Sequence, residues 1–252
     1  MNKRWMAFVG VVLAAGMGLS APALAQVKVL MSNGFKAAYT DILPDFEKRT
    51  GISVTTTAGP SQGDAPNTIG AQLRRGVAAD VVILSKAGLV DLIKDGKIAA
   101  GTDVDLAQAP LGLAVRAGAP KPDISTVEAF RQTILQAKSI TFQSTTVIYL
   151  RDTLLPKLGI ADNVMAKHTE IGPTAVASGA AEIAISPVSE IYHVPGVDYV
   201  GLIPAQIQLV QTFSAAVVSG SKEEAAAKSL IAFLASGQAK AAIRKNGMEP
   251  SH

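Results

Sequence analysis

The sequence predicts an α/β fold built on parallel-rich sheets. Three observations carry this. Short apolar strands alternate with amphipathic helices along most of the chain. The connections are only a few residues long. Gly or Pro stands at many of the joints. No tandem repeat and no low-complexity linker interrupts the pattern.

The elements follow in order. "VKVLMS" (Val27–Ser32) has the length and composition of a buried strand. In "KAAYTDILPDFEKRTG", Tyr39, Ile42, Leu43 and Phe46 fall on one helical face, Pro44 predicts a kink, and Gly51 is the stop. "ISVTTTAG" is a strand, Asn67–Val77 a helix, Asp80–Ser85 a strand and "AGLVDLIKDGKI" a short helix. "APLGLAVRAGAP" (Ala109–Pro120) reads as a strand. In "TVEAFRQTILQAK", Ser125 with Glu128 predicts a capping box. "SITFQST" is a strand, Val147–Leu158 a helix, "KHTEIG" a strand and "PTAVASGA" a helix. "AEIAISPVSEI" is a strand and turn, and "VDYVGLIP" and "QTFSAAVVSG" are late strands. The C-terminal stretch is one or two helices with Ser221 as the cap and Glu223 and Glu224 in the first turn.

Composition narrows the function. The 252 residues carry a net charge of +3, no Cys and three His. Without Cys there are no disulfides and no thiolate metal ligands. His168, His193 and His252 lack metal-ligand spacing, so no metal and no cofactor are expected. No dense basic run marks a nucleic-acid partner. Lys3 and Arg4, an apolar run to about Leu19 and the A-x-A of Ala23 and Ala25 form a secretory signal peptide (residues 1–25), cleaved after Ala25. The expected product is a monomer in the periplasm.

The order and spacing of "VLMSNGFKAAYTDILPDFEKRTG", "LRRGVAADVVILS", "LPKLGI", "VASGAAEIAISPVSEI" and "LIAFLASGQAKAAIRKNGMEP" resemble type II periplasmic solute-binding proteins of the molybdate-binding-protein-like group. The resemblance spans nearly all of the chain after residue 25. It implies two α/β lobes around a cleft, lobe one at residues 27–109 and 217–252 and lobe two at 115–211. It also implies a small anionic solute in that cleft and an ABC transporter membrane component as a possible partner.

Four loops are expected at the cleft. Asn33 and Gly34 follow the first strand, where Gly34 permits close backbone approach. Pro60, Ser61 and Gln62 precede a helix; the family presents a Ser hydroxyl at this place, and Ser61 matches it. Asp64 in the same loop would repel an anion. Ser144, Thr145 and Thr146 precede the amides of Val147 and Ile148, and a helix N-terminus favours an anion. Many relatives carry a Gly in that loop, and this chain does not. Pro187 stands where molybdate binders present a Tyr, which turns the reading away from molybdate, and Ser189 follows it. Arg116 is a candidate fork for a carboxylate, with Arg151 weighed beside it.

"GPSQGDAP", "AVRAGAPKPDIS" and "VPGVDYVGLIPAQIQ" look most like a branch of the group resembling aconitate isomerase. The leading expectation is a binder of a small anion, a citrate- or aconitate-like carboxylate rather than molybdate. The alternative is cofactor-free isomerisation of cis- and trans-aconitate, which needs a base to move a proton along an allylic system. Tyr149, Ser61 and His168 are the candidates, with His193 and Glu190 behind them. None has an activating partner visible in the sequence, which is why the binder leads.

Overall fold

The structure is a computed structural model that describes residues 25–252, so all but the last residue of the expected signal peptide lies outside it. Among the described residues no helix is long and apolar enough to cross a membrane.

The chain opens with β1 (Gln26–Met31), α1 (Asn33–Thr50), β2 (Ser53–Ala58), α2 (Ile69–Arg74), β3 (Val81–Ser85) and α3 (Lys86–Lys94). β1 pairs in parallel with both β2 and β3, as strand–helix–strand alternation demands. Helix α1 buries Phe35, Ala38, Tyr39, Ile42 and Phe46 along one face. It runs unbroken through the exposed Pro44 and stops at Gly51, whose φ of 71° is the left-handed C-cap conformation glycine tolerates. Alternation in β1 and β3 sends side chains to opposite faces of the sheet. Val29, Val81 and Ile83 join α1 in one core, while Leu30, Val82 and Leu84 join α2 and α3 in another.

β4 (Val104–Arg116) then crosses to the second lobe. There follow α4 (Val127–Gln136), β5 (Ile140–Thr141), α5 (Thr145–Tyr149), a π-helical turn (Leu150–Leu154), α6 (Leu155–Lys157), α7 (Ala161–Met165) and β6 (His168–Thr169). After them come α8 (Thr174–Ser178), β7 (Ile183–Pro187), α9 (Val188–Ile191) and β8 (Val197–Leu202). Leu111, Leu113 and Val115 of β4 pack into the lobe-two core with Phe130, Phe142, Leu154 and Ile185. The chain returns through β9 (Val210–Val217) and ends with α10 (Glu224–Leu234), α11 (Lys240–Lys245) and β10 (Glu249–Pro250) on lobe one.

The fold is therefore α/β and two-lobed, with the strand path β2-β1-β3-β9-β4-β7-β5-β6. Both ends of the path are parallel; the middle is antiparallel because β4 and β9 run against their neighbours.

Three helix starts differ from expectation. α4 is capped by Thr126, which accepts from Ala129 N–H at 3.0 Å, because the N–H of Ser125 is taken by Asp123. Ser221 donates to Asp80 and accepts from Glu223 N–H, one turn before α10, which starts at Glu224. Thr145 and Thr146 lie inside α5, whose N-cap is Ser144.

Gly34 sits where α1 meets β9. A Cβ there would stand 2.0 Å from Cζ of the buried Phe213 ring. Its small size thus serves packing, a role the sequence did not reveal. Overpacking of this kind costs about 1–3 kcal/mol. Urea unfolding of Gly34→Ala should show a loss in that range, recovered in part by adding Phe213→Leu; an unchanged midpoint would contradict the packing role.

Candidate functional site

β1 ends at Met31, and Ser32 turns the chain into α1. Its backbone N–H donates to Ile83 O at 2.8 Å. Its side chain makes no capping bond, is 3% exposed, and leaves Oγ without a hydrogen-bond partner. A buried hydroxyl left unpaired costs about 1–3 kcal/mol, so its position calls for a reason. Ser32 lines a small cavity of about 20 Å³ between the lobes, shared with Asn33, Pro60, Ser61, Gln143, Ser144 and Glu190 among others. The free amides of an 18-residue helix begin at the same place.

Hydroxyls from both lobes meet beside this cavity. Ser61 Oγ accepts from Ser85 N–H at 2.9 Å. Ser85 Oγ lies 2.8 Å from Thr145 Oγ1, which donates to Gln62 Oε1 at 3.0 Å; Gln62 Nε2 donates in turn to Asp91 at 2.8 Å. Gln62 N–H also donates to Ser144 Oγ at 3.2 Å, and Gln211 donates to Thr146 Oγ1 at 2.9 Å. Ser144 adopts φ 56° and ψ −135°. Glycine takes a positive φ without strain, and a side chain there costs of order 1–3 kcal/mol. This is the structural counterpart of the missing Gly in that loop.

The cavity shares Asn33, Gln143 and Glu190 with a wider cleft of about 650 Å³. Lobe one contributes Lys36, Asp41, Lys245 and Asn246 to its wall, and lobe two contributes Ser189, Tyr192 and His193. Lys245 donates to Asp41 at 3.0 Å, and Lys245 and Asn246 together hold the Asp41 carboxyl below the usual carboxylate range. Lys36, exposed on the first turn of α1, has no ion pair among the described residues. Ser189 is 4% exposed, and its Oγ, like that of Ser32, has no partner.

Glu190 is the carboxylate common to cavity and cleft. It sits on the one-turn helix α9, whose other residues, Val188, Ser189 and Ile191, are all buried and fix its backbone. The residue as a whole is partly exposed, but desolvation pushes its pKa up from 4.5 to about 7, opposed by a side-chain hydrogen bond from Gln143.

The expected residues divide into two sets. Asn33, Pro60, Ser61, Ser144, Thr145, Thr146 and Pro187 line the inner cavity, and Ser189 the wider cleft. Gln62 lies beside the cavity in the cross-lobe chain. The others lie elsewhere. Tyr149 donates to Ile207 O at 2.8 Å inside lobe two, and burial pushes its pKa up. His168 stacks on Phe142 with centroids 3.8 Å apart and bonds Phe142 O through Nε2. Arg116 reaches Val176 O at 3.4 Å and lines a separate pocket with Glu182. Val147 N–H is already taken by Ser144 O. Val147, Ile148, Asp64 and Arg151 line a depression of about 290 Å³ beside the 60–66 loop, which shares Ser61 and Ser144 with the inner cavity. Ser32, Lys36 and Gln143 went unnoticed in the sequence. A Ser between a strand and a helix is a cap signal, and it was the available clue to Ser32.

The sequence profile of the bacterial extracellular solute-binding protein family matches residues 27–249. An aconitate isomerase from Pseudomonas sp. is 38% identical over 250 residues, covering 97% of this chain and 95% of that one. Among solved structures, the periplasmic molybdate-binding protein of Azotobacter vinelandii superposes with a TM-score of 0.70 at 20% identity, covering 88% of this chain and 98% of that one. The sulfate-binding protein SubI of Mycobacterium tuberculosis gives 0.71 at 17%, covering 90% and 87%. These two show the shared two-lobed fold.

The raised pKa of Glu190 has a consequence for stability. Between about 4.5 and 7 the folded chain holds a proton on Glu190 that the unfolded chain has released. The contribution is thus complete below about 4.5 and lost as pH rises through about 7. The urea midpoint of the wild type should fall relative to Glu190→Gln between pH 5 and 8. A difference that stays constant over that interval would place the carboxyl in water.

Proposed function

The chain belongs to the bacterial extracellular solute-binding protein family, and we propose that within it this protein binds aconitate in the interlobe cleft and interconverts its cis and trans forms. In this reading the lobes are residues 27–109 with 217–252, and residues 115–211. Residues 1–25 direct the chain to the periplasm.

The observation that carries the proposal is the make-up of the cleft. A tricarboxylate needs donors and positive charge, and the two cations the sequence pointed to, Arg116 and Arg151, line neither the inner cavity nor the wider cleft. The fold brings Lys36, the N-terminus of α1 and the unpartnered hydroxyls of Ser32 and Ser189 to one wall system, with a carboxyl of raised pKa among them. The full-length likeness to an aconitate isomerase supports the substrate. The chemistry is a proton shift. A proton leaves the methylene carbon, the electron pair delocalises over the allylic system, and a proton returns at the former vinylic carbon. The double bond moves one carbon along, and no atoms are gained or lost.

A second reading, that of a receptor that binds a carboxylate without turning it over, is supported by the family itself and by the molybdate- and sulfate-binding structures that share the fold. The two separate cleanly by experiment. Proton NMR of trans-aconitate with the purified protein should show cis-aconitate accumulating. Calorimetric binding with no interconversion over hours would leave the receptor. Under either reading, Lys36→Met should weaken binding about tenfold, or about 1.4 kcal/mol; unchanged affinity would remove Lys36 from the site.

A further inference from the structure

Isomerisation needs a base that reaches both ends of a three-carbon system, and the cleft offers few. Asp41 also lines it, but its carboxylate is engaged by Lys245 at 3.0 Å and by Asn246 at 3.1 Å. Tyr149 and His168 are tied to backbone carbonyls away from the cleft. His193 is exposed on the cleft wall, at a positive φ of 67°, and does not line the inner cavity. Glu190 lines both spaces and stands on a turn held by buried neighbours.

Resting on the isomerase reading above, we propose that Glu190 is the catalytic base, taking the proton from the methylene carbon of aconitate and returning it to the former vinylic carbon. In the first half the C–H bond breaks, the O–H bond of Glu190 forms, and the electron pair spreads over the three carbons and their carboxylates. In the second half the O–H bond breaks and the new C–H bond forms at the other terminal carbon. Glu190 ends as it began, and no oxidant, reductant or metal enters the balance. Ser32 and the α1 amides lie on the lobe-one side of the same cavity, where a substrate carboxylate would take up developing negative charge. Gln143 lines both spaces together with Glu190, and Glu190 forms no ion pair among the described residues. A pKa near 7 suits a group that must both accept and return a proton near neutral pH.

The test compares Glu190→Gln with the wild type on trans-aconitate. Gln keeps the shape and the neutral charge of the protonated acid, so folding should survive, checked by the melting temperature and by calorimetric binding of trans-aconitate. The expected result is a fall in kcat of about 10²–10⁴-fold with binding kept or tightened. Wild-type kcat/KM should rise with pH through about 7, where Glu190 loses its proton. Lys36, Asp41, His193 and Lys245 also face the cleft, so His193→Asn serves as the control and should leave that rise in place. Glu190→Asp, which keeps the carboxylate but shortens its reach, should recover part of the rate. An active wild type whose Glu190→Gln variant keeps its kcat would overturn the assignment and leave the isomerase reading intact; so would a pH limb that disappears with His193. A wild type that binds trans-aconitate without converting it would overturn both.

Discussion

The structure depends on β4 being one continuous strand shared by two cores. Its first half pairs with β9 and β10 and belongs to lobe one; its second half pairs with β7 and β8 and belongs to lobe two. A strand cannot slip by one residue without turning its buried side chains outward. Leu106 and Ala107 on one side and Leu111 and Leu113 on the other therefore fix the lobes relative to a common backbone. Ser32 after β1, Gln143 after β5 and Pro187 at the end of β7 all line the inner cavity. That is the place where ligands collect in open α/β sheets.

Closure of the inner cavity rests on short polar side chains rather than on apolar contact. Ser85, Thr145 and Gln62 link the lobes through hydrogen bonds of 2.8–3.0 Å, and Ser144 holds a strained backbone to offer its Oγ to Gln62. Each such bond contributes only about 0.5–1.5 kcal/mol net, a scale at which lobes can part to admit a solute. The charged groups sit on the other side of the cavity. Lys36 and Glu190 are separated by most of the chain in sequence, yet the packing of α9 against α1 brings them to one cleft.

Much of the fold was legible in the sequence because it rests on local patterns. Gly51 as a stop, the apolar face of α1 and the buried runs of β1 and β3 need no knowledge of distant residues. Boundaries failed where a neighbour competed. Asp123 captured the N–H of Ser125 and moved the cap to Thr126. Pro156 has no N–H to give to Asp152, and the helix there widens into a π-turn, with Leu155 N–H bonding Leu150 O. Small polar residues before helices pointed to Ser61 and Thr145, which line the inner cavity. Tyr149, His168 and Arg116 were misplaced because partners far along the chain, Ile207, Phe142 and Val176, decide their direction. Glu190 stood in the sequence as a secondary base candidate with no activating partner in view. Its enclosure arises from residues of both lobes, and no local pattern encodes that.

Binding of a tricarboxylate between the first turn of α1 and Glu190 is tested most directly by a crystal structure of the Glu190→Gln variant with trans-aconitate. The predicted result is one substrate carboxylate within about 2.5–3.0 Å of Ser32 Oγ, Lys36 near a second, and the methylene carbon facing residue 190. Ligand bound instead in the depression lined by Arg74 and Arg151, with Ser32 Oγ still unpartnered, would contradict it.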